Sequence, residues 1–459
     1  MDLRAVEEGL FSSLQLMQNA ADGLYQEVSA LMQQKGFERV ALLAGSGNNG
    51  GDAYALACLL HPVYSPAIVQ VGEGEMSPDC RYYYEKAKAL GVPFIDSPKG
   101  YPLVVDGIFG TGFHGELPKS AKAIMDQVDA PVVAIDLPSG MDGNSGLCAA
   151  GTLLPILTVT FAFLKPCHLL ADCGKVVLKE IGIPQKYADE IALETLAPSL
   201  PEREEWGHKS SFGDLGLLVG SSQYTGAAAL ALKGALKSGV GLVYGYLPKR
   251  AKAAAAAKFY GPILKRPQEI YRDFRSIWLG GSGLGRSAAA GRRMRFLWKN
   301  APALVADGDG LWHIRFCLSA RHDRLTVLTP HMGEFARLLG VSIPMLQKNR
   351  LQYAKDFAKE HGLILCLKDA ATLVTDGEQT AILSAPCSAL SKGGSGDLLA
   401  GLIGGLLASN PCEDPFEMVK LGVWLHNRAA HLASMEHSPR ALQPEEIADY
   451  IEKAFEELE

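Results

Sequence analysis

The sequence predicts two consecutive doubly wound α/β domains, each a three-layer αβα sandwich. Three observations predict it. Short, β-branched apolar runs alternate with helix-like segments in both halves of the chain, the pattern of parallel strands buried on both faces. The alternation breaks once, around Ala188–Glu205, where ALETLAPSLPEREEW brings Pro and charge without a strong period, as linkers do. The length of 459 residues suggests two or three domains at about 100–200 residues each, with two large ones favoured. We place them at 1–200 and 201–459.

In the first half, Leu10–Gln34 is helix-like and is expected to cover the sheet edge. Val40–Ala44, Ala67–Val71, Leu103–Val105 and Val132–Ile135 read as strands, with helices at Ala53–Leu60 and Cys80–Leu90 between them. In the second half, Leu215–Gly220, Ile277–Gly280, Ala303–Ala306, Leu325–Leu328 and Leu363–Leu367 read as strands. Ala251–Lys258 is alanine-rich and so a helix by propensity. Leu398–Ala408 is apolar on every side and reads as a buried helix. This run and the Pro-broken stretch around Leu153–Leu164 are the longest apolar segments, and both fall short of the roughly 18–20 residues that span a bilayer.

Composition narrows the function. Hydrophobic residues make up 48%, enough for large cores, which excludes a disordered chain. Lys+Arg 44 against Asp+Glu 50 gives a net charge of −6 with no basic block, which argues against nucleic acid and anionic membranes as partners. Nine scattered cysteines form no CxxC pair, which argues for a reducing compartment over a disulfide framework or structural zinc. The start, MDLRAVEEGL, lacks a signal-peptide apolar core, so a cytoplasmic protein is expected.

The sharpest local feature is GSGNNGGD at 45–52, after a strand and before a helix. Gly45, Gly47 and Gly50 satisfy G-x-G-x-x-G. Such a loop turns backbone N–H groups and a helix N-terminus toward a phosphate; the bland alternative is a glycine turn. Asn48 and Asn49 add amide oxygens for a hard cation. Asp52 is a candidate site residue or simply a helix cap. A dehydrogenase would place an acid just beyond the second strand, and only Glu73 stands near that position. Two further strands run into Asp106 and Asp136, followed by GIFGTGFHG (107–115) and LPSG (137–140). Ligands of open α/β sheets bind outside the carboxyl ends of strands, so these loops converge on a polar cleft.

In the second half, SKGGSGDLLAGLIGGLLA (391–408) leads a glycine loop into a helix expected to begin near Asp397. Its N–H groups form an anion hole, and Asp397 is placed to take a proton from a substrate hydroxyl; the alternative is Asp397 as N-cap. TPHMGEF brings His331 and Glu334 to a strand exit, where turn and capping roles are commoner. LKDAAT brings Lys368 and Thr372 to another exit, suited to phosphates, although a lone strand-end lysine is usually a solvated charge.

GNNGGD, DGIFGTG, AIDLPSGMDGNSG, LMQNAA and FAFLKPCHLL, over most of 10–185, resemble the N-terminal NAD(P)HX epimerase domain of bacterial bifunctional NAD(P)H-hydrate repair enzymes, a Rossmann-like fold. The resemblance implies that Asn48, Asn49, Gly50, Gly51 and Asp52, with Gly110, Thr111, Gly112, Phe113, His114, Gly115 and Glu116, hold the damaged cofactor. It implies a K+ ion on Asn49, Asp106 and Ser139, and substrate binding and proton transfer by Asp136. Ala53 departs from the family's usual glycine and suits a helix.

QYTGAAALALKGALKSGVGLV, WLGGSGLG, LVADGDGL, TPHMGEF, LKDAAT and GGSGDLLAG, over about 207–436, resemble an ADP-dependent NAD(P)H-hydrate dehydratase of ribokinase-like fold. The resemblance implies that Ala227, Gly283, His331 and Asp397 contact the hydrate. Lys368, Asp369, Ala370, Ala371 and Thr372, with Gly393, Gly394, Ser395 and Gly396, would contact ADP or ATP, and Glu334 would organise Mg2+ through water. The departures are Ser282 or Gly281 where Pro is usual, Gly308 and Gly310 where alanines are usual, and Asp369 where glycine is usual. Asp369 puts a negative charge close to the expected phosphate site.

The implied reaction repairs hydrated NADH or NADPH. The first domain interconverts the hydroxyl epimers, and the second phosphorylates one of them and expels phosphate. The family also implies a homo-oligomer. Three rivals stand beside this reading: a ribokinase-like small-molecule kinase with an accessory domain, a non-catalytic dinucleotide sensor, and a dehydrogenase.

Overall fold

The computed structural model describes residues 11–72, 74–184, 198–321 and 324–459. The chain divides into two compact units, Met1–Glu190 and Ile191–Glu459. The division falls in 185–197, which with Glu73 and much of the expected linker lies outside the described residues.

The first unit runs α1 (Ser13–Lys35), β1 (Arg39–Ala44), α2 (Asn48–Leu60), β2 (Ser65–Gln70), α3 (Pro78–Ala89), β3 (Val104–Gly107), α4 (Lys119–Met125), β4 (Val132–Ile135), β5 (Leu157–Phe161), α5 (Pro166–Leu170) and β6 (Lys175–Lys179). The strands form one parallel sheet in the order β2-β1-β3-β4-β5-β6. Alternate residues of β1 serve opposite layers. Val40, Leu42 and Ala44 pack with α1, α2 and α3, whereas Ala41 and Leu43 pack with Ala121 and Met125 of α4. Ser12 caps α1 by accepting from Gln15 N at 3.2 Å, and Gly36 ends it at φ 68°, a left-handed C-terminal stop that glycine tolerates best.

The first helix lies on the sheet face above β5 and the edge strand β6, where Lys179 of β6 meets its Gly23 and pairs with Glu27 at 2.7 Å. The Pro-broken run Leu153–Leu164 contains β5, because Pro155 stands just before the strand and leaves LTVTF intact.

The second unit runs β7 (Asp214–Leu218), α6 (Thr225–Lys237), β8 (Leu242–Tyr246), α7 (Lys249–Lys258), β9 (Ile263–Lys265), β10 (Ile277–Gly280), α8 (Ala288–Asn300), β11 (Ala303–Ala306), α9 (Asp309–Ile314), β12 (Thr326–Leu328), α10 (Met332–Leu339), α11 (Ile343–Lys348), α12 (Arg350–His361), β13 (Ile364–Leu367), β14 (Ala371–Thr375), β15 (Thr380–Ser384), α13 (Ser395–Ser409) and α14 (Pro415–Glu436). Nine strands make one sheet, β15-β14-β13-β12-β11-β10-β7-β8-β9, parallel except at β13-β14 and β14-β15. The apolar segment at 398–408 is the buried body of α13. Its glycines permit a backbone contact with α6. A Cβ on Gly401 would stand 2.0 Å from Ala231 O, and one on Gly234 of α6 would stand 2.1 Å from Leu398 O. Among the described residues no helix is long and apolar enough to cross a membrane.

Candidate active sites

In the first sheet the crossovers reverse direction between β1 and β3, so the loops after these strands part to leave a crevice. The order differs from the 3-2-1-4-5-6 arrangement of nicotinamide dehydrogenases. A cavity of about 710 Å³ occupies the crevice, lined by Gly45–Asn49, Asp52, the 108–114 loop, Glu116, Asp136 and Lys165. Gly50 and Gly51 stand behind its wall. A Cβ on Gly50 would meet Gly45 O at 1.9 Å, and one on Gly51 would meet Met17 Cε at 2.6 Å, so both serve close packing. Gly115 turns the loop at φ 90°.

Asn49, Asp106 and Ser139 are drawn together by Phe109. Asn49 Nδ2 donates to Phe109 O at 2.9 Å, and Phe109 N donates to Ser139 Oγ at 2.9 Å. Ser139 Oγ donates to Asp106 Oδ1 at 2.5 Å and Ser139 N to Asp106 Oδ2 at 2.9 Å. Burial pushes the Asp106 carboxyl up, and the Ser139 hydrogen bonds restrain it. Asn49 reaches the cavity, while Asp106 and Ser139 are fully buried.

Asp136 stands just past β4 at φ 65°, a left-handed conformation that asparagine and aspartate tolerate better than most. His168 Nε2 bonds Asp136 O at 2.7 Å, and His168 Nδ1 accepts from Lys165 N at 3.0 Å. Burial and then Lys165 press the His168 imidazole down to about 4, so a neutral ring holds the turn. Lys165 Nζ donates to Asp136 Oδ1 at 2.6 Å, and Thr160 Oγ1 donates to the same oxygen at 2.9 Å. Burial opposes ionisation of Asp136, yet Lys165 and these bonds win and hold its carboxyl below the ordinary range. Asp52 is the opposite case. It does not cap α2, whose N-cap is Gly47; it sits in the second turn, 6% exposed, with Oδ1 unpartnered. Burial, then the Asp136 charge, raise its carboxyl well above the usual value.

In the second sheet the crossovers reverse between β7 and β10. There Gly283, at φ 59°, packs on α6: a Cβ would meet Ala227 Cβ at 2.5 Å. The expected hydrate contacts Ala227 and Gly283 are therefore neighbours at the switch point. Gly281 and Gly310, two of the departures, also answer to packing. A Cβ on Gly281 would lie 1.9 Å from Asp307 O, and one on Gly310 2.5 Å from Gly280 O.

The glycine loop enters α13 earlier than expected. The helix begins at Ser395 with Gly394 as N-cap at φ 101°, so Asp397 lies in the first turn and does not cap. Lys368 Nζ donates to Asp307 Oδ1 at 2.6 Å and would lie 2.9 Å from a Cβ on Gly396. Thr329 Oγ1 and Ser282 Oγ donate to Asp307 at 2.8 and 3.0 Å. Burial opposes the Lys368 charge, but Asp307 outweighs it and raises the ammonium. Burial, then Asp307, push Asp397 up to about 7, against Lys368 and a hydrogen bond from Ser282. Ser395 Oγ lies 3.3 Å from His426 Nε2.

His331 and Glu334 form a capping box on α10: His331 Nδ1 accepts from Gly333 N at 3.0 Å, and Glu334 Oε2 accepts from His331 N at 3.0 Å. Glu334 still faces Asp397 closely enough to oppose its ionisation. The charge of Asp369 is compensated, because Arg350 Nη1 pairs with it at 3.1 Å. Ala370 N donates to Asp369 at 2.9 Å. Ala371 and Thr372 are buried in β14 and stand behind the loop. Gly393 is exposed.

Sequence reasoning missed Lys165, Thr160, His168, Asp307, Thr329 and Arg350. For Asp307 a signal was present: like Asp106 and Asp136, it ends or follows a short buried strand.

The fold and sites define a two-part enzyme, each part holding a lysine–aspartate pair and a second, raised aspartate at the switch point of an α/β sheet. The NAD(P)H-hydrate dehydratase family matches residues 215–453, and the family described as YjeF-related protein N-terminus matches 13–167. A bifunctional NAD(P)H-hydrate repair enzyme of Moorella thermoacetica is 31% identical, over 100% of this chain and 95% of its own. One of Mycobacterium tuberculosis is 34% identical over 89% and 88%. A Bacillus subtilis ADP/ATP-dependent NAD(P)H-hydrate dehydratase, co-crystallised with ATP and Mg2+, covers 57% of this chain and 95% of its own at 29% identity and a TM-score of 0.52. The chain belongs to the bifunctional NAD(P)H-hydrate repair enzymes. It is an NAD(P)HX epimerase joined to an ADP/ATP-dependent NAD(P)HX dehydratase.

Proposed function

We propose that the first unit epimerises the hydrate between two aspartates of opposite protonation. Asp52 gives its proton to the departing hydroxyl, which leaves as water while the ring nitrogen supplies the electron pair. Water re-adds on the opposite face and yields its proton to Asp136. Proton exchange with water in the cavity then returns the proton to Asp52 and removes it from Asp136, so that the next turnover can run in the same direction. The supporting observation is that Asp52 and Asp136 line one cavity with pKa values pushed apart, the usual mark of an acid and a base. In this proposal Lys165 holds Asp136 ionised and Thr160 fixes its direction. Asn49, Asp106 and Ser139 suit K+, because all three offer hard oxygen donors and a cation would offset the buried Asp106 charge. K+ there would supply fixed positive charge beside the N-terminus of α2. Replacing K+ by a bulky organic cation should slow epimerisation and lower the melting temperature of this unit; no change in either excludes the site.

For the second unit we propose that Asp397 takes the proton of the hydrate hydroxyl as that oxygen receives the terminal phosphoryl group of ADP or ATP. AMP or ADP leaves. Phosphate then departs and a ring proton is lost, restoring the double bond. Lys368 and the N–H groups at Gly394–Gly396 are aimed where phosphate charge accumulates. Glu334, which faces Asp397, would hold Mg2+ through water, and the ion would neutralise phosphate charge. Arg350 relieves the site of the Asp369 charge. The carrying observation is the proximity of Lys368 to Gly396, which joins the two nucleotide segments. Product analysis tests it: AMP and phosphate must appear together with NADH from ADP, and a stable phosphorylated product would instead mark a kinase.

A further inference from the structure

Beside the second switch point, three arginines from three successive crossovers converge on one indole. The Arg286 guanidinium carbon, in the loop after β10, lies 4.4 Å from the Trp312 ring centroid; that of Arg315, just past α9, lies 3.6 Å away; that of Arg337, on α10, lies 5.8 Å away. Arg315 also covers the Phe316 ring at 4.2 Å, and Phe316 is 88% exposed. Asp309 pairs with Arg286 at 3.2 Å and accepts from Gly285 N at 2.8 Å, which fixes the loop. Among the described residues neither Arg315 nor Arg337 has a carboxylate partner. Three like charges around one ring repel one another, and the indole face offsets only part of this. The local balance of three guanidiniums and one carboxylate leaves two positive charges on a chain whose net charge is −6.

Position gives the cluster a meaning. Ser282 bonds Asp307 and Asp397 at the reaction centre, and Arg286 follows it by four residues, a reach of at most about 14 Å for extended chain. A dinucleotide with its nicotinamide ring near Asp397 extends a ribose and a diphosphate over that span. Planar guanidiniums suit phosphate oxygens bidentately, and exposed Phe316 offers a stacking face.

We infer that Arg286, Arg315 and Arg337, organised on Trp312, bind the diphosphate of the remote half of the hydrated dinucleotide. The inference rests on the dehydratase reading of this unit. Its signature is uniform binding, felt in KM and not in the chemical step.

The test uses the full chain with the purified dehydratable epimer of NADHX and, separately, the hydrate of reduced nicotinamide riboside, which lacks the diphosphate and the remote half. Arg337→Ala should raise KM for NADHX about tenfold, the scale of one lost charge-assisted contact, with kcat retained. Arg337→Lys should recover part of the loss. The truncated hydrate should show equal KM with wild type and variant. Inorganic pyrophosphate should compete with NADHX on the wild type, which keeps the test independent of variant folding. An unchanged KM for NADHX, an equal rise for both substrates, or no competition by pyrophosphate would overturn the assignment. A wild type inert toward both hydrates would instead bring down the dehydratase reading itself, and the inference with it.

Discussion

In the first unit Lys165 lies against Asp136 and Asp52 stands near them without a hydrogen bond to Oδ1. In the second, Lys368 lies against Asp307 and Asp397 stands near them. The two groups differ in where the second aspartate is set. Asp52 is in the second turn of its helix and almost fully buried, and burial raises its carboxyl well above the usual value. Asp397 is in the first turn, where N–H groups favour a carboxylate, and is only partly buried, so it titrates near neutrality. In the proposed mechanism the same residue types thus serve as an acid in one unit and a base in the other. Burial depth and distance from a helix N-terminus decide between them, not the identity of the side chain.

Substitution at Asp397 gives the sharpest contrast. Asp397→Asn should reduce dehydration about 10²–10⁴-fold, the range for a general base, and leave epimerisation intact. In the wild type, dehydration should rise with pH through about 7 and level off above it. The sign for stability is the reverse. A carboxyl whose folded pKa is raised loses stability as pH climbs from its unfolded value, about 3.9, to its folded one. Asp397→Asn should therefore melt later than wild type at pH 8, and a lower melting temperature would contradict this.

Lys165→Met should reduce epimerisation by about 10²-fold or more and leave a buried carboxylate unpaired, at a cost of about 3–5 kcal/mol in the first unit. The Asp136 pKa is depressed in the folded state, so its contribution is present above its unfolded value and is lost as pH falls through the folded one. The variant should accordingly lose part of the wild type's acid sensitivity below about pH 4. Denaturant melts across pH check this.

Asp52→Asn breaks the comparison in a milder way. It removes the ionisation penalty that grows above about pH 3.9, so the first unit should melt a few degrees higher at pH 7 while epimerisation falls. The smallest effect is expected at Arg350. Arg350→Ala frees the Asp369 charge and should raise KM for ADP several-fold, and Arg350→Ala with Asp369→Gly should restore it.

What the sequence revealed follows from locality. β10 and β11 are legible to the residue, because Ile277–Gly280 and Ala303–Ala306 are continuous apolar runs buried on both faces. β8 and β9 are not, since LVYGY carries glycine and tyrosine and ILK ends in lysine. β14 and β15 are strands only by virtue of antiparallel pairing. The glycine loops and strand-end aspartates were readable as motifs. Their partners were not: Lys165 and Thr160 reach Asp136 from β5 and the turn after it, and Arg350 reaches Asp369 from another helix. The capping alternative fails at both aspartates, because each helix starts within the Gly-rich loop, with Gly47 and Gly394 as N-caps.

The most direct measurement follows nicotinamide absorbance as an epimer mixture of NADHX is repaired with ADP and Mg2+ by wild type and by Asp52→Asn. The account predicts full recovery for wild type. For the variant it predicts a normal fast phase equal to the dehydratable share, then only the slow spontaneous epimerisation. Full recovery by Asp52→Asn at the wild-type rate would contradict the two-aspartate account.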